Sequence, residues 1–284
     1  MTGHVAGESM RPPQIVVGVG EPAGWGPVLR WAAAEAGRRR CRLRIVHATR
    51  PDACHSPDHP EALALGDAAR LVAAATGEAR LLAPGVPVDG DARAGSAAAA
   101  LVAAAGPHDL LVVGDGPTGR LVVARARSSV AVVRGRTVPE TGPVAVGYDG
   151  HPAAGSALLA AFESAGTRSC AVTVIRTALF ADDIAVTVRA ALAADTRRAL
   201  EPFVDKYPEV PVDILVVSGD PAAHLVAASR DARLVVLGAR APRGPAGGSS
   251  GPVGLHLMHH SFCPVLFARA CENTGRHHVD LRQR

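Results

Sequence analysis

The stretch VPVDGDARAGSAAAALVAAAGPHDLLVVG, residues 86–114, lines up without a gap on VPVDILVVSGDPAAHLVAASRDARLVVLG, residues 210–238. The offset is 124 residues, and fourteen of the 29 positions are identical, Val88, Asp89, Gly95, Leu101 and Gly114 among them. The chain is an internal duplication, so each half can be read against the other. Where one copy keeps a residue that chemistry needs and its twin has lost it, the difference is informative.

The repeat extends in both directions. Gln14–Gly20 (QIVVGVG) matches Pro143–Asp149 (PVAVGYD), and Leu43–Ala48 (LRIVHA) matches Val172–Thr177 (VTVIRT), both at an offset of 129. The fall from 129 to 124 gives the first half five extra residues somewhere in 50–85, in a helix or a loop. Ser128–Gly135 (SSVAVVRG) then matches Cys263–Ala270 (CPVLFARA) at 135, so the first half lacks eleven residues between Gly114 and Ser128.

Two copies of about 130 residues are each large enough to bury a core. A hydrophobic content of 48% argues for a globular chain. No apolar run approaches the ~18–20 residues that span a bilayer, and Met1–Pro13 has no apolar segment of the secretory kind. Five cysteines form no CxxC pair and leave one over, which fits a reducing compartment; the expectation is a cytoplasmic protein without a membrane partner. The net charge of +4 comes from arginine, Lys206 being the only lysine. Arg38-Arg39-Arg40 with Arg42 reads as the solvated C-terminal end of a helix rather than an anion patch. Without aromatic stacking residues nearby, no nucleic-acid partner is expected.

Short β-branched runs alternate with Ala-rich helical stretches: Ile15–Val19, Leu43–His47, Leu110–Val113 and Val130–Val133, then Val144–Tyr148, Val172–Arg176, Ile214–Val217, Leu234–Leu237 and Val265–Ala268. Continuous apolar strands separated by helices imply parallel sheets buried on both faces. The expected class is α/β, with doubly wound, Rossmann-like domains whose ligand crevices lie beyond the carboxyl ends of the strands. The fifth strands, Val130–Val133 and Val265–Ala268, would be edges suited to pairing across domains or subunits.

After Leu234–Gly238 (LVVLG) come Ala239, Arg240 and Ala241, nine further residues, then Gly251-Pro252-Val253 at the start of a helix. A strand, a Gly-rich loop and a helix N-terminus offer unpaired N–H groups to an anion, with Arg240 and Arg243 available for bidentate bonds. This half resembles a universal stress protein domain, in Val144–Asp149 (VAVGYD), Ser218–Ala223 (SGDPAA), Leu234–Gly238, the Gly loop and His260–Val265 (HSFCPV). The whole chain resembles a tandem member of that family. The resemblance implies two five-stranded parallel sheets in the order 3-2-1-4-5 and, in many members, bound ATP or a related adenine nucleotide. It places Asp149 near the ribose, Ile175 beside the adenine, and Gly238, Ala241, Gly251, Pro252 and Val253 at the phosphates.

Two positions depart from the family's pattern. Ala241 replaces a glycine, at ~1–2 kcal/mol if that site needs positive φ. Pro252 replaces a serine or threonine and removes a hydroxyl together with an N–H, although proline is tolerated at a first helical position. One lost hydrogen bond to a charged group predicts roughly 10–100-fold weaker phosphate binding, unless Ser249, Ser250, Arg240 and Arg243 compensate. The first half has Gly20 where the acid should stand, beside Glu21, and runs Gly114-Asp115 into Gly116-Pro117. It is expected to bind no triphosphate.

Other constellations are weaker. Gly18-Val-Gly20-Glu-Pro-Ala-Gly24 is one residue too long for a dinucleotide fingerprint. His256, His259 and His260 have helical metal-ligand spacing but no third ligand type, and read as surface residues; Cys54, His55 and His59 sit in a Pro-rich stretch read as a loop. Ser128-Ser129 lacks a nearby base, and no catalytic residue is assigned. The expected layout is a disordered tail over 1–13, a degenerate domain over 14–135, a linker over 136–142, a nucleotide domain over 143–269 and a polar tail over 270–284. The expected role is stress-response regulation by a homodimer or an intramolecular domain pair, binding nucleotide in the second domain rather than turning it over. Alternatives are a nucleotide-free scaffold for a protein partner and a weak ATP hydrolase.

Overall fold

A computed structural model describes residues 11–49, 61–135, 139, 141–151, 154–179, 185–239 and 251–270. In the first half β1 (Gln14–Gly18), α1 (Pro22–Arg39), β2 (Arg42–Thr49), α2 (Glu61–Leu82), β3 (Val88–Ala94), α3 (Ala97–Ala104), β4 (Leu110–Gly114), α4 (Pro117–Arg125) and β5 (Ser129–Val133) alternate. The second half repeats them as β6 (Val144–Gly147), α5 (Gly155–Gly166), β7 (Val172–Ala178), α6 (Ala185–Lys206), β8 (Val212–Ser218), α7 (Pro221–Ala228), β9 (Leu234–Gly238), α8 (Gly251–His260) and β10 (Val265–Ala268). Both α2 and α6 span 22 residues, so the five extra residues of the first half precede α2 rather than lengthen it.

Each half has the expected parallel order 3-2-1-4-5, and the two join into one ten-stranded sheet, β3-β2-β1-β4-β5-β10-β9-β6-β7-β8. The junction is the antiparallel pair β5–β10, in which Ala131 faces Leu266, Val130 faces Phe267 and Val132 faces Val265. Ala131 and Leu266 are the same position in the two copies, so an approximate two-fold axis passes through that pair. The fifth strands therefore do pair, within one chain.

Alternation within each strand sends successive side chains to opposite faces. Ile15, Val17, Leu43, Ile45, Leu110 and Val112 face one way, under α1 and α2, and continue into Val144, Val146, Val172 and Val174 under α5 and α6. Val16, Leu111, Val113 and Val130 face the other way, under α3 and α4, and continue into Val235, Leu237, Val265 and Phe267 under α7 and α8. Strands covered on both faces need apolar residues at every position, hence the unbroken valine runs. The strands at the two ends of the sheet differ: β3 (VDGDARA) is half charged and forms no apolar run. Its turn into α3 passes through Gly95 at φ 113°, and the twin turn through Gly219 at φ 115°, a conformation that side chains disfavour and both copies reserve for glycine.

One buried charge crosses between the halves. Glu35 on α1 is fully buried and binds Arg39 Nε at 2.7 Å, Arg38 Nη2 at 3.0 Å and, from beyond α5, Arg168 Nη2 at 2.6 Å. Arg38 and Arg39 do close α1 with positive charge, but they fold back onto Glu35 and are not simply solvated, which corrects the sequence expectation. Burial pushes the Glu35 carboxyl up, yet the guanidiniums of Arg168, Arg39 and Arg38 outweigh it and hold the pKa at about 2, down from 4.5. A carboxyl with a lowered folded pKa gives stability that is present above about pH 4.5 and lost as pH falls toward 2. Acid unfolding should therefore show a loss of stability across that window, and Glu35→Gln should flatten it. Arg168→Ala, which leaves the buried carboxylate without its partner from the other half, should cost about 3 kcal/mol in urea melts.

Candidate functional site

The crevice of the second half lies at the carboxyl ends of β6, β7 and β9. Tyr148 follows β6 and is nearly buried, its N–H bonded to the Ile175 carbonyl at 3.0 Å. Asp149 comes next and is exposed. Its Oδ1 accepts from the His151 N–H at 2.9 Å, and no further partner occupies the carboxylate among the described residues. That leaves an oxygen available to a hydroxyl donor.

On the neighbouring strand β9, Gly238 is exposed at the strand end, while the Ala239 N–H is already spent on the Ala268 carbonyl at 2.8 Å. The loop that follows, with Arg240, Ala241, Arg243, Ser249 and Ser250, lies outside the described residues. Helix α8 begins at Gly251 with φ 60°; Pro252 is exposed and Val253 half-buried. A proline there removes one of the N–H groups that a helix N-terminus offers. Asp149, just past β6, and Gly238, at the end of β9, thus lie at the ends of two adjacent strands.

Ile175, expected beside the adenine, directs its side chain into the core. Only 2% exposed, it packs with Leu225 of α7 and Leu237 in the core, and its carbonyl is taken by Tyr148. Pleat alternation dictates this: Val174 belongs to the opposite face, so Ile175 must point beneath α7. What β7 exposes at its end is Thr177 and Ala178, both half-buried.

Two residues escaped the sequence reading. Arg176 leaves β7 toward α6 and donates from Nη1 to Asp195 Oδ2 at 2.6 Å, Thr196 Oγ1 at 3.1 Å and the Leu192 carbonyl at 3.2 Å. Its guanidinium lies 5.6 Å from the Tyr148 ring centroid. This bolts the end of β7 to α6 beside Asp149, and the signal was a lone arginine in the apolar run VTVIRT. Asp220 caps α7, accepting from the Ala222 and Ala223 N–H groups at 3.2 and 3.1 Å, whereas its twin Ser96 makes no such bond.

In the first half, α4 is seated against the end of β4. Gly114 ends β4 and α4 starts three residues later. A Cβ on Gly119 would lie 2.0 Å from the Gly114 carbonyl oxygen, so the helix rests directly on the strand end. Asp115, between β4 and α4, is paired with Arg134 at 3.1 Å. Elsewhere, His256 and His260 lie side by side on α8, their ring centroids 4.3 Å apart and their planes tilted by 35°, but no group of three metal-ligating side chains occurs among the described residues. Cys263 is a buried thiol pushed up by burial to about 12, far from the thiolate form that reacts. Trp25 is in the core, its indole donating to Glu78 at 2.9 Å. The Cys54, His55 and His59 segment lies outside the described residues.

The family model of universal stress proteins matches the chain twice, over residues 13–137 and 140–269. The chain belongs to that family. A universal stress protein of Mycobacterium tuberculosis is 30% identical over 254 residues, covering 82% of this chain and 88% of that one. The crystal structure of a universal stress protein from Archaeoglobus fulgidus superposes with a TM-score of 0.74 at 14% identity, over 90% of this chain and 98% of its own. That likeness extends to the whole tandem fold. A universal stress protein solved in complex with cAMP matches over 43% of this chain and 96% of its own, at 25% identity and a TM-score of 0.33. No helix among the described residues is long and apolar enough to cross a membrane.

The contact between Gly119 and β4 gives a direct check on the seating of α4. Gly119→Ala forces a Cβ into a backbone oxygen and should lower stability by about 2 kcal/mol or more, read by urea denaturation.

Proposed function

We propose that the crevice of the second half binds an adenine nucleotide, ATP or a relative, and that this universal stress protein regulates by that binding rather than by turnover. The observation that carries the reading is the difference between the copies. The second keeps an exposed, half-satisfied carboxylate at Asp149 and a long loop before α8, where the first has Gly20 and a helix seated on its strand. The ribose side of the reading rests on Asp149; the phosphate side rests on Gly238, Gly251, Val253 and the loop residues Arg240 and Ala241. Pro252 makes the phosphate grip weak. Ile175 holds the chain at Tyr148 through its carbonyl, which accepts the Tyr148 N–H.

A scaffold that binds a protein partner with both crevices idle is the second reading, favoured by Pro252 and by the eleven residues that the first half lacks. Calorimetry with ATP, ADP and cAMP separates the two. The sensor predicts measurable heat at millimolar ATP, lost in Asp149→Ala, and binding tightened by roughly 10-fold or more in Pro252→Ser, which restores a hydroxyl and an N–H. Zero heat at millimolar concentrations of all three nucleotides overturns it in favour of the scaffold.

A further inference from the structure

At the opposite, amino-terminal ends of the strands, a cavity of about 800 Å³ opens on the seam between the halves. Its volume falls in the range of sites for small organic ligands. The wall from the first half carries Arg38, Arg39, Arg40 and Arg42, with Arg11 at the margin; the wall from the second half carries Glu163, Thr167, Tyr207 and Glu209.

The charges on these walls are not used up by each other. Arg11 is paired with Asp109 and Arg42 with Asp89. Arg38, Arg39 and Arg168 share the single carboxylate of Glu35, leaving two positive charges over in a half-buried place. The duplication explains the deficit. The position equivalent to Glu35 in the second half is Ser164, fully buried with its hydroxyl unpartnered, where a second carboxylate would balance the arginines. Arg40 is in no ion pair among the described residues. It also holds a left-handed backbone conformation, φ 50° and ψ 46°, at the end of α1, a place where glycine is the low-cost residue. Its twin Ser169 has the same backbone at φ 48°, but the twin of the basic run is Thr167-Arg168-Ser169-Cys170-Ala171, so the arginine wall belongs to the first half alone. Glu163 and Glu209 make no ion pair among the described residues either, so the basic and acidic walls line the cavity without closing on each other.

We propose that this cavity is a binding site for a small dipolar molecule, its anionic end held by Arg38, Arg39 and Arg40 and its cationic end by Glu163 and Glu209. Because the two walls come from different halves, such a ligand would tie the halves together at the end of the sheet away from the nucleotide crevice. An anion alone would meet the two glutamates unpaired, and a cation alone would meet the arginines; only a molecule with both ends satisfies both walls.

The test is calorimetry on the full chain at low salt with glycine, 4-aminobutyrate and 6-aminohexanoate, a ladder of lengths, against hexanoate and hexylamine. One amino acid of the ladder should bind about tenfold more tightly than either single-ended control. Arg40→Gln and Glu209→Gln, both at exposed positions, should each weaken it about tenfold while the unfolding midpoint stays put. Hexanoate binding as tightly as the best amino acid, binding indifferent to both substitutions, or no heat up to about 10 mM would each overturn the proposal.

Discussion

The β5–β10 pairing is the constraint from which the rest of the molecule follows. Each half, taken alone, ends in a strand whose backbone donors and acceptors face outward, and a long apolar edge of that kind is unstable against association. Joining the two edges across the Ala131–Leu266 pair satisfies both in one step and turns two five-stranded sheets into one of ten. The same operation brings α1 beside the end of α5 and puts Arg168 within reach of Glu35, 133 residues away in the chain. Neither residue would tolerate burial alone; the ion pair is a product of the junction rather than its cause.

Duplication gave the chain two copies of most positions, and the copies differ at the ends of the central strands while the apolar cores of those strands are alike. At the carboxyl ends, Asp149 stands where the first half has Gly20, and the eleven residues that the first half lacks leave α4 seated against the end of β4. At the amino ends, the first half has the buried carboxylate Glu35 and four arginines in its basic run, whereas the second half has Ser164 and the single arginine Arg168. Core positions are fixed by packing on both faces, whereas strand ends border solvent, where a substitution costs little stability and is free to change chemistry.

Most of the sheet was legible in the sequence because parallel strands covered on both faces must be apolar throughout. β3 was not, since Asp89, Asp91 and Arg93 put charges on an edge that has no cover on one side, and only its alignment with Val212–Ser218 reveals it. α4 was missed because its Pro-Thr-Gly start resembles a turn; its helicity depends on seating against β4. The helix start near Gly251 was readable from the Gly-rich stretch after β9, whereas Asp149 was marked only by the resemblance to the family. The direction of Ile175 was not readable, because a position known from a family motif does not reveal which face of the pleat it occupies. Arg38 and Arg39 were read as a solvated helix end, but the acid that recruits them is four residues back on the same helix and buried by the other half, which no local pattern discloses.

The seam also sets an order of events during synthesis. When Val133 leaves the ribosome, its strand has no partner on the outer side until Ala268 has been made, more than 130 residues later. At bacterial-type elongation speeds of ~5–20 residues per second that interval lasts on the order of ten seconds. Throughout it, the nascent half presents a sticky rim to any neighbouring polysome product, and a β10 from another chain would fit as well as its own. Fusion of the two halves in one polypeptide answers this hazard by delivering the correct strand at high local concentration before a stranger arrives.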